Sequence, residues 1–162
     1  MSKKISFCSL MAVLGIISLI LTVFLRANTV FLYLLSTIFT YICTEEYGVK
    51  YGLLTCAVIS LAGFIILPEK ITLGLYAVTV SYYPAVKHII EHLNFSRAMK
   101  WLMKILFAVA VSSVAFIVFS RFLTLKISFW IIYPLALAVF VLYDIALTIG
   151  IKFYALRLRK FR

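Results

Sequence analysis

The chain has 162 residues, 65% of them hydrophobic and only 13% charged. A water-soluble domain of this size carries about a quarter of its residues as charges, so this composition excludes one and makes lipid the main solvent. The net charge of +11 does not mark a nucleic-acid binder, because the basic residues stand at the ends of apolar runs and not on one polar domain.

A helix needs about 20 residues at a rise of 1.5 Å to cross the hydrocarbon core. Six runs meet that need, at 5–25, 27–44, 48–67, 71–90, 101–120 and 127–151, and a basic tail follows at 152–162. The first run follows Lys3 and Lys4 like a signal peptide. It has no small-residue cleavage site and leads into more apolar sequence, so it reads as a retained helix. In lipid each span must satisfy its own backbone hydrogen bonds, which selects helices. The fold class predicted is therefore all-α, a single-domain bundle of six transmembrane helices with both ends on one side. The three cysteines, Cys8, Cys43 and Cys56, show no metal or disulfide spacing and read as small packing residues.

With the amino terminus inside, the inner side holds Lys3, Lys4, Lys50, Lys87, Arg97, Lys100, Lys104, Lys152, Arg157, Arg159, Lys160 and Arg162. The outer side holds Arg26, Lys70, Arg121 and Lys126, so the balance is twelve to four and the bundle is read as N-in, C-in. Tyr33, Tyr76, Trp101, Trp130 and Tyr133 suit the aromatic belts at the two interfaces.

Small residues that allow close helix approach are the packing signal within lipid. Gly48, Gly52, Cys56 and Ser60 recur every four residues and form one narrow face on the third span. Ala77, Ser81 and Ala85 do the same on the fourth, and Cys8, Ala12, Ser18 and Thr22 line the first. Pro84 and Pro134 lie within spans and are predicted to kink them, freeing a carbonyl one turn earlier that Tyr82 or Tyr83 could engage.

An ionisable group inside a span is costly and asks for a reason. Asp144 lies eight residues before Lys152, roughly 12 Å along a helix, which puts it at the depth of Lys87. The two are expected to pair, or to share a polar cluster with Glu45, Glu46 and Glu91. The main reading of that cluster is a buried register lock, with a coupling or substrate role as the alternative.

His88-Ile-Ile-Glu91-His92 matches H-x-x-E-H, the inverted zinc-protease signature. Its histidines share one helix face, and Asp144, Glu45 or Glu46 could supply a third ligand. The pattern is short and stands where a helix leaves the membrane, so it is read as interface residues, with no metal, cofactor or catalytic residue assigned. No phosphate-binding loop or serine-nucleophile motif is present in the sequence.

Tyr51-Gly52-Leu53-Leu54, Leu67-Pro68-Glu69-Lys70, Tyr82-Tyr83-Pro84-x-x-Lys87-x-x-Ile90-Glu91 and Leu142-Tyr143-Asp144 resemble a group of small uncharacterised six-helix membrane proteins of Gram-positive bacteria. The architecture is similar to that of the S components of energy-coupling factor (ECF) transporters. That resemblance implies a barrel of six helices that binds a vitamin or metal from outside. It further implies docking on a membrane partner through small residues of the early helices, the partner hydrolysing ATP. Two features depart from it: the outer half is sparse in polar groups, and the first helix offers only Cys8 and Ala12 as a small face.

The function expected is thus a non-enzymatic subunit of the cell membrane, with lipid, a membrane protein partner and a small-molecule ligand as its contacts. The alternative is a structural or assembly subunit docking through the Gly48–Ser60 face. Reporter fusions at each end are expected to report the cytoplasm; an external signal from the carboxyl end would invert the depth of every ionisable group.

Overall fold

The computed structural model describes residues 2–25, 29–120 and 129–158. It is all-helical, with no strand among the described residues. The helices are α1 (Ser2–Phe24), α2 (Thr29–Tyr47), α3 (Val49–Ile66), α4 (Lys70–Thr79), α5 (Tyr83–His92), α6 (Arg97–Ser120) and α7 (Phe129–Phe153), and a wider π-type turn follows at Tyr154–Leu158. Segments Lys3–Phe24, Val49–Ile66 and Ala138–Leu156 are long and apolar enough to cross a membrane. Arg26, Asn28, Arg121 and Lys126 lie outside the described residues, as do the tail positions Arg159, Lys160 and Arg162.

The elements differ from the predicted spans in two places. The expected break at 45–47 is helical through Tyr47, and Gly48 alone makes the turn into α3. Its φ of 91° lies in the left-handed region, which glycine enters without steric cost. Gly48 is therefore the residue that caps α3 and not a member of its packing face.

The fourth span is two helices. Pro84 stands in the first turn of α5, where a missing N–H costs nothing, and it stops α4 from continuing. Four residues before Pro84 is Val80, whose carbonyl the proline leaves without its helical donor. The hydroxyl of Tyr143 donates to that oxygen at 3.2 Å. The Tyr83 backbone N–H donates to the same oxygen at 3.2 Å, so α7 and Tyr83 share the repair. Pro134 lies in the second turn of α7, and the helix runs on through it.

The helices run up and down the bundle, with α4 and α5 in the same direction, which gives it two chemically distinct ends. One end gathers the end of α1, the start of α2 and the α3–α4 turn. The other gathers the start of α1, the α2–α3 turn, the α5–α6 connection and the end of α7. Near the first end a cluster of Ala12, Leu19, Tyr33, Ile59, Leu67, Leu73 and Tyr76 is buried. Toward the second, Tyr41, Tyr83, Tyr143 and Leu147 form another. Tyr33 and Tyr76 stack with ring centroids 5.0 Å apart, and Tyr76 shares a hydrogen bond with Ser36 at 3.1 Å. Both are core residues and not members of an interfacial belt, because their hydroxyls find partners inside the bundle.

Several buried hydroxyls satisfy themselves locally, whereas Thr40 Oγ1 finds no hydrogen-bond partner among the described residues. Ser18, Thr37, Thr44, Thr55 and Ser81 each donate to a carbonyl three or four residues earlier on their own helix. This removes the cost of an unpaired hydroxyl while keeping the side chain small enough for close packing. Beyond Lys50 at its start, the outward face of α3 is instead apolar, with Leu54, Leu61 and Ile65 exposed. An apolar surface of this extent is not stable facing water.

Cys8 and Cys43 form a disulfide between α1 and α2, with their Cα atoms 5.7 Å apart. This corrects the reading of all three cysteines as packing residues; only Cys56 fits it, buried and free. A separation of 35 residues gives no local signal, and only the antiparallel meeting of the two helices brings the thiols together.

Gly52 carries the closest approach between α2 and α3. A methyl group added there would overlap the Thr44 side chain and crowd its backbone. Gly150 meets only the side chain of Ile38, at 3.3 Å. Gly52→Ala is therefore expected to destabilise the protein by about 1–3 kcal/mol through overpacking, and Gly150→Ala to stay close to wild type. Thermal melts in detergent check this; equal melting temperatures for the two variants would remove the close approach.

Candidate functional site

The ionisable groups gather at the second end of the bundle, around α5. On a helix, residues four apart share a face, so Tyr83, Lys87 and Glu91 form one stripe. This stripe faces α6 and α7. The Lys87 ammonium lies 2.6 Å from Asp144 Oδ1, 2.8 Å from the Asp144 carbonyl and 2.6 Å from Thr148 Oγ1. An ammonium has three protons, and here every one is donated. Lys87 is fully buried, and its ammonium also lies 5.8 Å from the centroid of the Tyr41 ring.

Asp144 is satisfied as completely. Its Oδ1 accepts from the Tyr83 hydroxyl at 2.6 Å, and its Oδ2 accepts from Lys104 at 3.1 Å. Lys104 also reaches Glu91 Oε1 at 3.0 Å, while Tyr41 donates to Glu91 Oε2 at 3.1 Å. Lys100 donates to the Glu91 carbonyl at 2.7 Å, which closes the end of α5. Lys87, Lys104, Asp144 and Glu91 carry two positive and two negative charges, so the cluster is balanced. It ties α5, α6 and α7 together and reaches α2 through Tyr41.

Of the residues singled out in the sequence, Lys87, Asp144 and Glu91 meet in this cluster. Glu45 and Glu46 do not. Glu45 pairs with His88 Nδ1 at 3.0 Å, and Glu46 accepts from Tyr154 at 3.5 Å. Sequence reasoning missed Lys104, Tyr83, Tyr41 and Thr148. Lys104 carried a usable signal, since it lies one turn inside its apolar run and could not reach water without a partner. Tyr83 was marked only for its place beside Pro84, and Thr148, of a type common in apolar helices, carried none.

The His88–Glu45 pair forms part of a second group. The rings of His88 and His92 have centroids 4.1 Å apart. The donor atoms of Glu45, His88 and His92 all lie within 4.8 Å of one another. Glu91 belongs to the other face of α5, held by Lys104 and Tyr41. It is thus not placed to act as a base over the histidine pair, as the H-x-x-E-H reading would require.

The small-residue face of α3 is used inside the chain. Gly52 packs on Thr44, and Cys56 Sγ lies 3.3 Å from the Ser81 hydroxyl. Ser60, one turn on, is half-buried.

A third feature lies at the opposite end. Thr22, Val23, Thr29, Tyr33, Leu67, Pro68 and Glu69 line a pocket of about 210 Å³. Lys70 does not project into it as a free charge, because its ammonium donates to the Phe64 carbonyl and closes the end of α3.

Compared with known proteins, the chain matches no family model, and no curated protein and no solved structure matches it.

Removing one member of a buried ion pair leaves an uncompensated charge, which costs about 3–5 kcal/mol, whereas replacing both by apolar residues of similar volume is often neutral. Asp144→Leu alone is expected to destabilise strongly, and Lys87→Met with Asp144→Leu to recover part of the loss. Exchanging the two charges is expected to fail, because a lysine at 144 would face Lys104. A double variant no more stable than Asp144→Leu, measured by melting in detergent, would show the pair to be independent.

Proposed function

We propose that the chain is a multi-pass subunit of the cell membrane, with six spans and both termini in the cytoplasm, that binds a small molecule at its outer end and takes energy from a membrane partner. The observation that carries this reading is the pocket between the α1–α2 end and the α3–α4 turn. Under the topology read from the basic residues it opens outward, at the far end from the ionic cluster. Its lining combines three hydroxyls and one carboxylate with apolar side chains. A few polar groups in an otherwise apolar concavity is the usual composition of a ligand site.

The size of the pocket sets the scale of the ligand. Pockets for drug-sized molecules run to about 300–1,000 Å³, so this one suits a smaller molecule or the buried end of a larger one. Spans α4 and α5 together fill the depth of one crossing, and the break between them lies where Tyr143 repairs the backbone. Non-helical backbone is tolerated at membrane depth when protein covers it, which agrees with the six-span reading. The S-component resemblance fits the same division, with the ligand end outside and the energy-supplying partner acting elsewhere. The subunit is non-enzymatic in this reading, since the buried charges around Asp144 are paired to one another and its sequence carries no phosphate-binding loop.

A structural or assembly role remains the second reading, favoured by the balanced cluster, in which every Lys87 proton is used. Its docking surface would have to differ from the Gly48–Ser60 face, because Gly52 and Cys56 are buried within the chain itself.

Native mass spectrometry of the intact complex reports ligand and partner together. A small molecule retained by wild type and lost in Thr22→Leu, with an unchanged melting temperature without ligand, is the expected result. A partner retained with no small molecule, or a ligand equally retained by Thr22→Leu, would favour the structural reading instead.

A further inference from the structure

We propose that Glu45, His88 and His92 form a zinc-binding site at the inner end of the bundle, distinct from the ionic cluster and from the pocket. His88 and His92 are four residues apart on α5 and so project from one face. Their rings are in edge contact, with centroids 4.1 Å apart, so a nitrogen of each can reach one ion at the margin of the pair. Glu45 reaches the pair from the end of α2, with Oε2 3.0 Å from His88 Nδ1.

The donor atoms fall within 4.8 Å of one another. Zinc bonds to nitrogen and carboxylate oxygen at about 2.0–2.2 Å, so bound donors stand roughly 3.3 Å apart at tetrahedral angles. The remaining closure is small, and Glu45 and His92 are exposed, so side-chain rotation supplies it. Two imidazoles and one carboxylate leave the fourth position to water. Glu91 is held on the other face of α5 by Lys104 and Tyr41. The site therefore binds an ion without a base beside it, and zinc here would join α2 to α5 and not hydrolyse a peptide.

Charge alone does not attract a cation to this end. Lys3, Lys4, Lys50, Arg97 and Lys100 surround it in the sequence reading, so affinity must come from coordination. Imidazole nitrogen suits zinc, whereas magnesium and calcium prefer sites made of oxygen. The expectation is selective: zinc binds and the other two do not.

Tag-free protein, stripped with chelator in detergent, is titrated calorimetrically with zinc, magnesium and calcium. One zinc per chain is expected, with a rise in melting temperature on binding. His92→Ala and Glu45→Gln are each expected to weaken zinc binding at least about tenfold, with zinc-free melting unchanged, and Glu46→Gln to bind as wild type. Zinc well below one equivalent would overturn the proposal. So would wild-type affinity in His92→Ala and Glu45→Gln, or equal stabilisation by magnesium.

Discussion

A lysine ammonium carried into an apolar interior must find acceptors for all three of its protons, and at Lys87 they come from Asp144 and Thr148 on a single helix. The penalty for burying either charge alone is several kcal/mol, so α5 and α7 can meet in one register only. A slide of one turn would move Lys87 about 5.4 Å, beyond reach of every acceptor it has. Lys104 adds the same constraint from α6 by bridging Asp144 and Glu91. The three later helices are thereby fixed to each other by charge, where the three earlier ones are fixed by close packing and a disulfide.

These two modes of cohesion follow from composition. The early helices carry the small residues: Ala12, Ser18, Thr22, Gly52 and Cys56. Close backbone approach maximises van der Waals contact where hydrophobic exclusion adds nothing. The later helices carry fewer small residues. Packing alone distinguishes their registers poorly, and buried charges supply the missing specificity. The Pro84 break belongs to the same scheme. By ending α4 it lets α5 take its own direction, which brings Lys87 onto Asp144, and Tyr143 of α7 covers the carbonyl left behind.

Much of the fold was legible in the sequence because apolar length and helix-breaking residues are local signals. The helices fall within a few residues of the apolar runs, except that the fourth run is divided at Pro84, and the meeting of Lys87 with Asp144 follows from depth counted along two helices. What was illegible depends on azimuth and on distant partners. The turn at Gly48 was hidden by the charged Glu45-Glu46-Tyr47, which looks like a loop. Those residues stay helical, with Glu45 near His88 and Tyr47 packed edge-on against Phe7. The Cys8–Cys43 bond and the burial of Tyr33 against Tyr76 require knowing which helices are neighbours. The pocket draws on the ends of three helices, and no single stretch of sequence marks it.

The short helix α5 shows how one element serves two kinds of chemistry. Successive residues on a helix are separated by 100°, a consequence of 3.6 residues per turn. Lys87 and Glu91 are thus one step around from His88 and His92. The first pair faces inward to α6 and α7, where both charges are matched and the lysine is sealed from solvent. The second faces the end of α2, where Glu45 and His92 are exposed. A group whose protons are all committed inside the protein has nothing left to offer a ligand, whereas exposed donors held close together do. The same H-x-x-E-H string therefore divides between the two faces, its acid locked into the framework and its imidazoles left open to the surroundings.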